Sequence, residues 1–264
     1  MKRVPRILFS IGSFNIYYYS IFILSAILIA IFFGNREFNR LGYPKGFVMD
    51  IIIEVILSAI IGARLYYVLF NLEYYISNPL DILMVWNGGL AIYGGIIGGV
   101  ASLFYQCKKR GVSFLKALDV LAPFLILGQA IGRWGNFFNG EAYGKITSLE
   151  SLRSLHIPEF IIRGMYINGV YYEPTFLYES LWCLLGFVIL LLIRKFYKCK
   201  KIGFMTGIYF VIYPIGRFFI EAHRSDSLYI GSYRVSMLLS VVLIILGIVL
   251  IVTSRKRGRY CEEV

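Results

Sequence analysis

The chain has 264 residues, of which 58% are hydrophobic and only 16% are charged. Soluble domains are about a quarter charged, so this composition, with a mean hydropathy of +0.71, excludes an ordinary soluble protein. The net charge of +12 does not indicate a nucleic-acid-binding protein, because the basic residues are divided among separate loops.

Seven apolar stretches have the length of a membrane-spanning helix, about 17–25 residues. They are residues 16–33, 47–70, 89–106, 117–137, 176–193, 203–220 and 233–252. We therefore expect an all-α integral membrane protein with seven transmembrane helices, built as a single polytopic membrane domain over residues 1–264. Residues 1–15, which mix apolar and basic side chains, are expected to form a short interfacial helix.

Lysine and arginine alternate between the loops in a way that predicts the orientation of the chain. Sixteen of the 27 basic residues lie in four loops, 34–46, 106–116, 194–201 and 255–259. The intervening loops are poor in basic residues, with none in 71–88, three in 138–175 and one in 221–232. By the positive-inside rule the amino terminus is outside and the carboxyl terminus is cytoplasmic.

The longest loop, 138–175, is expected to form a small extracytoplasmic cap. Asn168-Gly169 lies between β-prone residues there, which predicts a hairpin. The chain has four cysteines without metal-ligand spacing, and in this topology none lies firmly outside, which argues against a disulfide. The chain has only two histidines, which excludes a His-rich metal site, and we expect no metal and no cofactor.

The third span opens on a glycine-rich segment, Asn87–Gly99. Gly94/Gly98 and Gly95/Gly99 are small-xxx-small pairs, which allow two helices to approach closely. Packing alone explains this pattern, and a second interpretation is that the glycines also admit a lipid beside Tyr93. Arg64, in the preceding span, is expected to make an ordinary interfacial pair.

The end of the fourth span carries polar side chains at membrane depth: Arg133, Asn136, Asn139 and Glu141. An arginine near the centre of a bilayer costs about 2.5–3.5 kcal/mol, so such a residue is usually paired and usually functional. A cation, two amides and a carboxylate so close together predict a site for a polar group inside the membrane.

In the sixth span Arg217, Glu221 and Arg224 are four and three residues apart, so they share one face of a helix. A local pair that neutralises an arginine is one interpretation. Two arginines around one carboxylate leave positive charge, however, and this suits a bound phosphate. Tyr178 and Glu179, entering the fifth span, fit hydrogen-bonded groups at a helix start.

Residues Gly132-Arg-Trp-Gly-Asn-Phe-Phe-Asn-Gly-Glu-Ala-Tyr-Gly144 resemble the signature of the bacterial prolipoprotein diacylglyceryl transferases. The resemblance covers nearly the whole chain in the expected order. Its other blocks are Tyr19, Asn87–Gly99, Pro174–Glu179, and Gly216-Arg217-Phe218 through Glu221 and Arg224.

The resemblance implies a seven-helix enzyme of the bacterial inner membrane, active toward the outer leaflet. Such an enzyme transfers the diacylglyceryl group of phosphatidylglycerol to the lipobox cysteine thiol of a prolipoprotein signal peptide and releases sn-glycerol 1-phosphate. The family's functional positions fall on Tyr19, Arg133, Asn136, Glu141, Gly144, Arg217 and Glu221. Its partners are phosphatidylglycerol, the prolipoprotein and the bilayer, with no nucleic acid and no stated oligomeric state.

Two positions depart from the family pattern. Some members have a histidine where this chain has Tyr93, and many have a histidine where it has Glu173. A mechanism in which either histidine is the indispensable base therefore does not carry over to this chain.

The chemistry of the residues agrees with the transfer. A thiol has a pKa near 8.5 and needs activation, and the leaving phosphate gains charge that preorganised cations stabilise. Our hypothesis is that Arg133 and Arg217 hold the phosphate and Asn136 orients it, with Asn139, Gly144 and Arg224 completing the lipid site. Glu141 or Glu221 fixes the guanidinium groups or accepts the thiol proton; Tyr93 and Tyr19 donate a hydrogen bond to the head group.

Two other functions use the same residues. A transporter or flippase of an anionic lipid would need opposed gates, and the sequence has no internal repeat or paired broken helices of the kind that many transporters have. A non-catalytic scaffold would use the polar residues only to lock helices together, which does not explain why Arg133, Asn136, Asn139 and Glu141 gather on one side.

Overall fold

The structure is a computed structural model that describes residues 5–12, 14–43, 46–225, 227 and 229–261. The chain forms two compact units. The first comprises the residues up to Gly34 together with those from Leu118 onward, and the second comprises Asn35–Ala117.

Helices make up most of both units. The long helices are α1 (Tyr18–Arg40), α2 (Phe47–Leu69), α4 (Ile92–Lys109), α5 (Phe114–Asn139), α8 (Thr175–Phe196), α9 (Phe204–Glu221) and α10 (Val235–Ser254). Three helices of six residues each are α3 (Leu72–Ser77), α6 (Leu149–Ser154) and α7 (Glu159–Gly164).

Among the described residues, five helices are long and apolar enough to cross a membrane: α1, α5, α8, α9 and α10. Each coincides with a predicted span. The two other predicted spans fall on α2 and α4. Helix α2 contains Asp50, Glu54 and Arg64, and α4 is rich in glycine and ends on Lys108-Lys109. The structure therefore supports a multi-pass membrane protein and does not by itself establish seven spans.

Short strands join the helices. They are β1 (Ile7–Ile11), β2 (Phe14–Tyr17), β3 (Ile146–Thr147), β4 (Tyr166–Ile167), β5 (Val170–Tyr172), β6 (Cys199–Lys201), β7 (Tyr229–Ile230), β8 (Tyr233–Arg234) and β9 (Arg259–Cys261). All pairings are antiparallel: β1 with β2, β5 with both β3 and β4, β6 with β9, and β7 with β8.

The strands confirm one prediction and overturn two. Asn168 and Gly169, with φ of 52° and 88°, form the turn of the predicted β4–β5 hairpin. The predicted interfacial helix over residues 1–15 is wrong for the described part, which is the β1–β2 hairpin, and residues 1–4 and 13 lie outside the described residues. The expectation of no disulfide is also wrong, because Cys199 in β6 is bonded to Cys261 in β9.

In the first unit α5, α8 and α9 pack around one apolar core. Its buried members are Ala122, Ile126, Ala130, Cys183, Leu190, Met205 and Tyr209. A methyl group on Gly216 would lie 2.1 Å from the Trp182 ring, so glycine is needed there for α8 and α9 to approach. Trp182 also donates to the carbonyl oxygen of Ile212, 2.8 Å away. These contacts set the spacing of the helices that carry the polar residues.

The start of α9 is fixed to α5 by Asp119. Its carboxylate accepts hydrogen bonds from the backbone N–H groups of Gly203 (2.7 Å) and Thr206 (2.8 Å) and from the Thr206 hydroxyl (2.6 Å). Because the first turn of a helix has unpaired N–H groups and a partial positive charge, a buried carboxylate is well satisfied there.

Candidate active site

The polar motif of the fourth span lies at the carboxyl end of α5. The helix ends at Asn139 and is followed by Gly140, whose φ of 65° suits glycine, and the Glu141 N–H donates to the carbonyl oxygen of Asn136 at 3.0 Å. Arg133 lies within the last two turns and donates to the side-chain oxygen of Asn136 at 3.4 Å. This termination ends the helix directly beyond the arginine and its amide partner.

One carboxylate joins the two arginines that the sequence singled out. Glu179, in the second turn of α8, is 2% exposed. Its Oε1 lies 2.5 Å from Arg133 Nη2 and its Oε2 lies 2.8 Å from Arg217 Nη1. The carboxyl ends of α5 and α9 and the amino end of α8 thus meet at a single point, with the arginines held by opposite oxygens of one side chain.

A second carboxylate extends the network on α9. Glu221 is 1% exposed, and its Oε2 lies 2.7 Å from Arg217 Nη2 and 3.7 Å from Arg224 Nη1. Arg234, at the start of α10, donates to the backbone carbonyl of Glu221 and, at 3.0 Å, to the Tyr229 hydroxyl. The helical spacing therefore brings Arg217 and Glu221 to one face of α9, as predicted, whereas Arg224 lies beyond the end of the helix and reaches Glu221 from the turn that follows it.

The charges of this cluster do not cancel. Three guanidinium groups contact two carboxylates and a fourth, that of Arg234, donates to the Glu221 backbone, so the four cations and two anions leave a formal charge of +2. In a site poor in water, such an excess strongly attracts an anion, and planar guanidinium groups match the oxygens of a phosphate. The cluster can hold a phosphodiester and stabilise the charge that develops when one of its ester bonds breaks.

Comparison with known proteins agrees with this chemistry. The family model for prolipoprotein diacylglyceryl transferase matches residues 6–253. The chain belongs to this family. Relatives from Bacillus cereus (strain 03BB102), Bacillus thuringiensis subsp. konkukian (strain 97-27) and Bacillus anthracis (strain CDC 684 / NRRL 3495) are each 45% identical over 267 residues. These alignments cover 100% of this chain and 98% of each relative, and each relative is named phosphatidylglycerol–prolipoprotein diacylglyceryl transferase.

Other residues predicted for the family's site surround the end of α5. Asn139 donates to Glu141 Oε1 at 3.4 Å, on the exposed side of the motif. The ring of Tyr19, at the start of α1, packs on Gly135, where an added methyl group would lie 2.7 Å from Tyr19 Cδ2. Asn139 and Tyr19 thus lie near Arg133 at the end of α5, whereas Asn136 and Glu179 contact its guanidinium group.

Gly144 has a packing role in this member of the family. Its N–H donates to the carbonyl oxygen of Glu173 at 2.8 Å, and a methyl group on it would lie 2.7 Å from Glu173 Cβ. The Ser225 hydroxyl, just beyond α9, donates to the Gly144 carbonyl at 2.9 Å. His223 lies 3.4 Å from the Glu173 carboxylate. The motif end is therefore closed by the segments that flank α8 and α9.

Tyr93 lies in the second unit, as the second residue of α4. Its ring is 6.4 Å from that of Tyr66 in α2. The two helices touch at their backbones there, since a methyl group on Gly94 would lie 2.2 Å from the carbonyl oxygen of Gly62. The predicted close approach of the helices at the Gly94/Gly98 pair is therefore confirmed, and the admission of a lipid beside Tyr93 stays a prediction.

Sequence reasoning did not include Glu179 and Arg234 among the site residues. The position of Glu179 fits a group at a helix start, although a carboxylate inside an apolar helix also predicts a cationic partner. Arg234 lies outside the motifs that indicate the site. Across the part of the chain that the structure describes, no cluster of three or more His, Cys, Asp or Glu side chains could hold a metal ion.

Proposed function

We propose that this chain transfers the diacylglyceryl group of phosphatidylglycerol to the lipobox cysteine thiol of a prolipoprotein. A sulfur–carbon bond forms at the glycerol carbon, the bond from that carbon to the phosphate oxygen breaks, and sn-glycerol 1-phosphate leaves with the electron pair. The observation that carries the proposal is the convergence of Arg133 and Arg217 on Glu179 within a cluster of excess positive charge.

The arginines hold the phosphate in this proposal. Arg133 and Arg217 bind its oxygens while Glu179 keeps both guanidinium groups in place, and Asn136 orients it. Arg224, Asn139 and Gly144 complete the lipid site, and Tyr19 and Tyr93 donate hydrogen bonds to the head group. Because the leaving oxygen gains negative charge, donors that are already fixed in place lower the barrier most.

The two acidic candidates divide the remaining roles. Glu221 is buried and bound by Arg217 and Arg224, which supports a role in fixing the guanidinium groups. Glu141 is exposed and contacts Asn139, which supports its role as acceptor of the thiol proton. A proton acceptor has to reach the incoming cysteine, and an exposed carboxylate meets that requirement.

The proposed topology is one polytopic membrane domain with seven spans, including α2 and α4. The amino terminus is outside, the carboxyl terminus is cytoplasmic, residues 138–175 form the extracytoplasmic cap, and the site faces the outer leaflet. The alternation of basic loops supports this orientation. The position of the arginine cluster supports this orientation too. The cluster lies at the carboxyl ends of α5 and α9, opposite to the end at which Asp119 binds the start of α9.

Mass analysis of a lipobox peptide tests the proposal. The purified full-length protein is incubated with the peptide and phosphatidylglycerol vesicles, and released glycerol phosphate is measured in parallel. We expect the peptide to gain one diacylglyceryl group. Lipid movement between leaflets without glycerol phosphate would instead indicate a flippase.

Arginine variants test the site. Arg133→Ala and Arg217→Ala are each expected to lower the rate at least about a hundredfold, the effect of losing one preorganised donor to a developing charge. Arg153→Ala, which breaks an exposed ion pair with Glu159, is the matched control and should keep wild-type activity. Undiminished glycerol phosphate release by either site variant contradicts the assignment.

A further inference from the structure

The second unit contains a buried arginine that organises a single stretch of backbone. Arg64, in α2, is 6% exposed. All three of its guanidinium nitrogens donate hydrogen bonds. The acceptors are the carbonyl oxygens of Asp81 (2.5 Å), Ile82 (2.9 Å), Met84 (3.4 Å), Gly88 (2.7 Å) and Gly89 (2.9 Å).

These five carbonyls belong to the segment that leads into the glycine-rich block. The segment forms two short 3-10 turns, Pro79–Leu83 and Val85–Asn87, and then the left-handed pair Gly88-Gly89, with φ of 88° and 71°. Such irregular backbone forms few hydrogen bonds within itself, and a carbonyl oxygen without a hydrogen-bond donor costs free energy away from water. The guanidinium group supplies donors to the carbonyls of Ile82, Met84, Gly88 and Gly89 and shares the Asp81 carbonyl with the Met84 N–H. It also lies 5.2 Å from the Tyr75 ring centroid.

Arg64 and the glycines fit each other closely. A methyl group on Gly89 would lie 2.5 Å from Arg64 Nη1 and 2.9 Å from the Tyr67 ring. One residue beyond Leu90, the Ala91 N–H donates to the Ala63 carbonyl at 3.0 Å, and α4 then begins. The first turn of α4, which contains Tyr93, is thus attached to α2 at Ala63, the residue before Arg64.

We propose that Arg64 is a positioning residue for Tyr93 in the transfer reaction, acting through the 81–89 backbone that it holds. The inference rests on the proposed function, in which Tyr93 donates a hydrogen bond to the lipid head group. Lysine cannot replace arginine here, because one ammonium nitrogen lacks the planar fork that reaches carbonyls on several sides. A shift of about 1 Å in a positioned group can cost about a hundredfold in rate.

A double-mutant cycle tests the inference in the purified full-length protein. The variants are Arg64→Lys, Tyr93→Phe and both together, and kcat and KM for phosphatidylglycerol are measured by mass analysis of the lipobox peptide. We expect Arg64→Lys to lower kcat about tenfold to a hundredfold and to change KM less than about threefold. In the Tyr93→Phe background the same change should cost less than about threefold, because the hydroxyl to be positioned is already absent.

The other outcomes are decisive as well. Equal losses from Arg64→Lys in both backgrounds, or a Tyr93→Phe enzyme as fast as wild type, overturn the inference and leave the transferase function intact. A wild-type protein that lipidates no peptide overturns the proposed function instead. If Arg64→Lys yields no folded protein, Gly89→Ala displaces the guanidinium by another route and is scored in the same cycle. Arg153→Lys controls for a general effect of arginine replacement.

Discussion

Replacing Glu179 with glutamine tests whether one carboxylate holds the two site arginines together. Glu179→Gln keeps the shape of the side chain and removes its charge. In the wild type each carboxylate oxygen binds a different guanidinium group, at 2.5 and 2.8 Å. A glutamine can accept from one arginine through its carbonyl oxygen, but its NH₂ group then faces the other.

The expected loss of stability follows from burial. Breaking a buried ion pair costs about 3–5 kcal/mol. The side chains of Arg133 and Arg217 remain 18% and 14% exposed, and Arg217 keeps its contact with Glu221, so we expect about 2–3 kcal/mol. At about 2 °C per kcal/mol for a chain of this size, Tm should fall by about 4–6 °C.

Two assays on one preparation measure the effect. Thermal unfolding in a fixed detergent gives Tm, and glycerol phosphate release gives the rate, which we expect to fall more than about tenfold because the guanidinium groups no longer converge. Glu159→Gln is the matched control: it breaks an Arg–Glu pair with side chains 59% and 50% exposed, which is worth at most about 1 kcal/mol.

The reasoning is refuted if Glu179→Gln retains both the Tm and the rate of the wild type. It is also refuted if Arg133→Gln and Glu179→Gln destabilise the protein additively when combined, because residues in direct contact should show a coupling energy of about 0.5–3 kcal/mol.

Three further predictions concern stability. Gly94→Ala should destabilise the protein by about 1–3 kcal/mol, because the methyl group meets a carbonyl oxygen of α2 at 2.2 Å, whereas Gly95→Ala, with ordinary contacts of 3.5–3.6 Å, should be tolerated. Reducing the bond between Cys199 and Cys261, 62 residues apart, should remove at most about 4 kcal/mol, measured as a lower Tm. Asp119→Asn should cost about 1–2 kcal/mol, because its cap of a helix start is weakened.

Each of these predictions has an outcome that contradicts it. Equal Tm values for Gly94→Ala and Gly95→Ala would mean that the helices separate freely at this point. A reductant that lowers Tm equally in wild type and in Cys199→Ser would act elsewhere than on the disulfide. An Asp119→Asn protein as stable as wild type would show that water or another donor satisfies the start of the helix.

Local patterns in the sequence correctly predict which neighbouring residues share a helical face or form a turn. The spacing of Arg217 and Glu221 fixes them on one helical face whatever surrounds the helix, and Arg224, just beyond the helix, joins the same network. Asn168-Gly169 likewise determines its turn through the backbone of two residues alone. Such signals need no knowledge of the tertiary arrangement.

Contacts between distant segments could not be read in the same way. Glu179 lies 38 residues from Arg217, and only the packing of α8 against α9 reveals that they touch. Cys199 and Cys261 meet because the strands after α8 and α10 pair. The mixed apolar and basic residues of 1–15 predict an interfacial helix, whereas the strands β1 and β2 form by pairing with each other, which composition does not reveal.

Helix α9 is secured at both ends, by Asp119 at Gly203 and Thr206 and by Ser225 at Gly144. Arg217 lies between these two sets of hydrogen bonds, so a shift of α9 along its axis cannot change the direction of its side chain. Adding or deleting a single residue between Thr206 and Arg217 would turn the guanidinium by about 100° away from its partners. The number of residues in this segment therefore determines the direction of the Arg217 side chain.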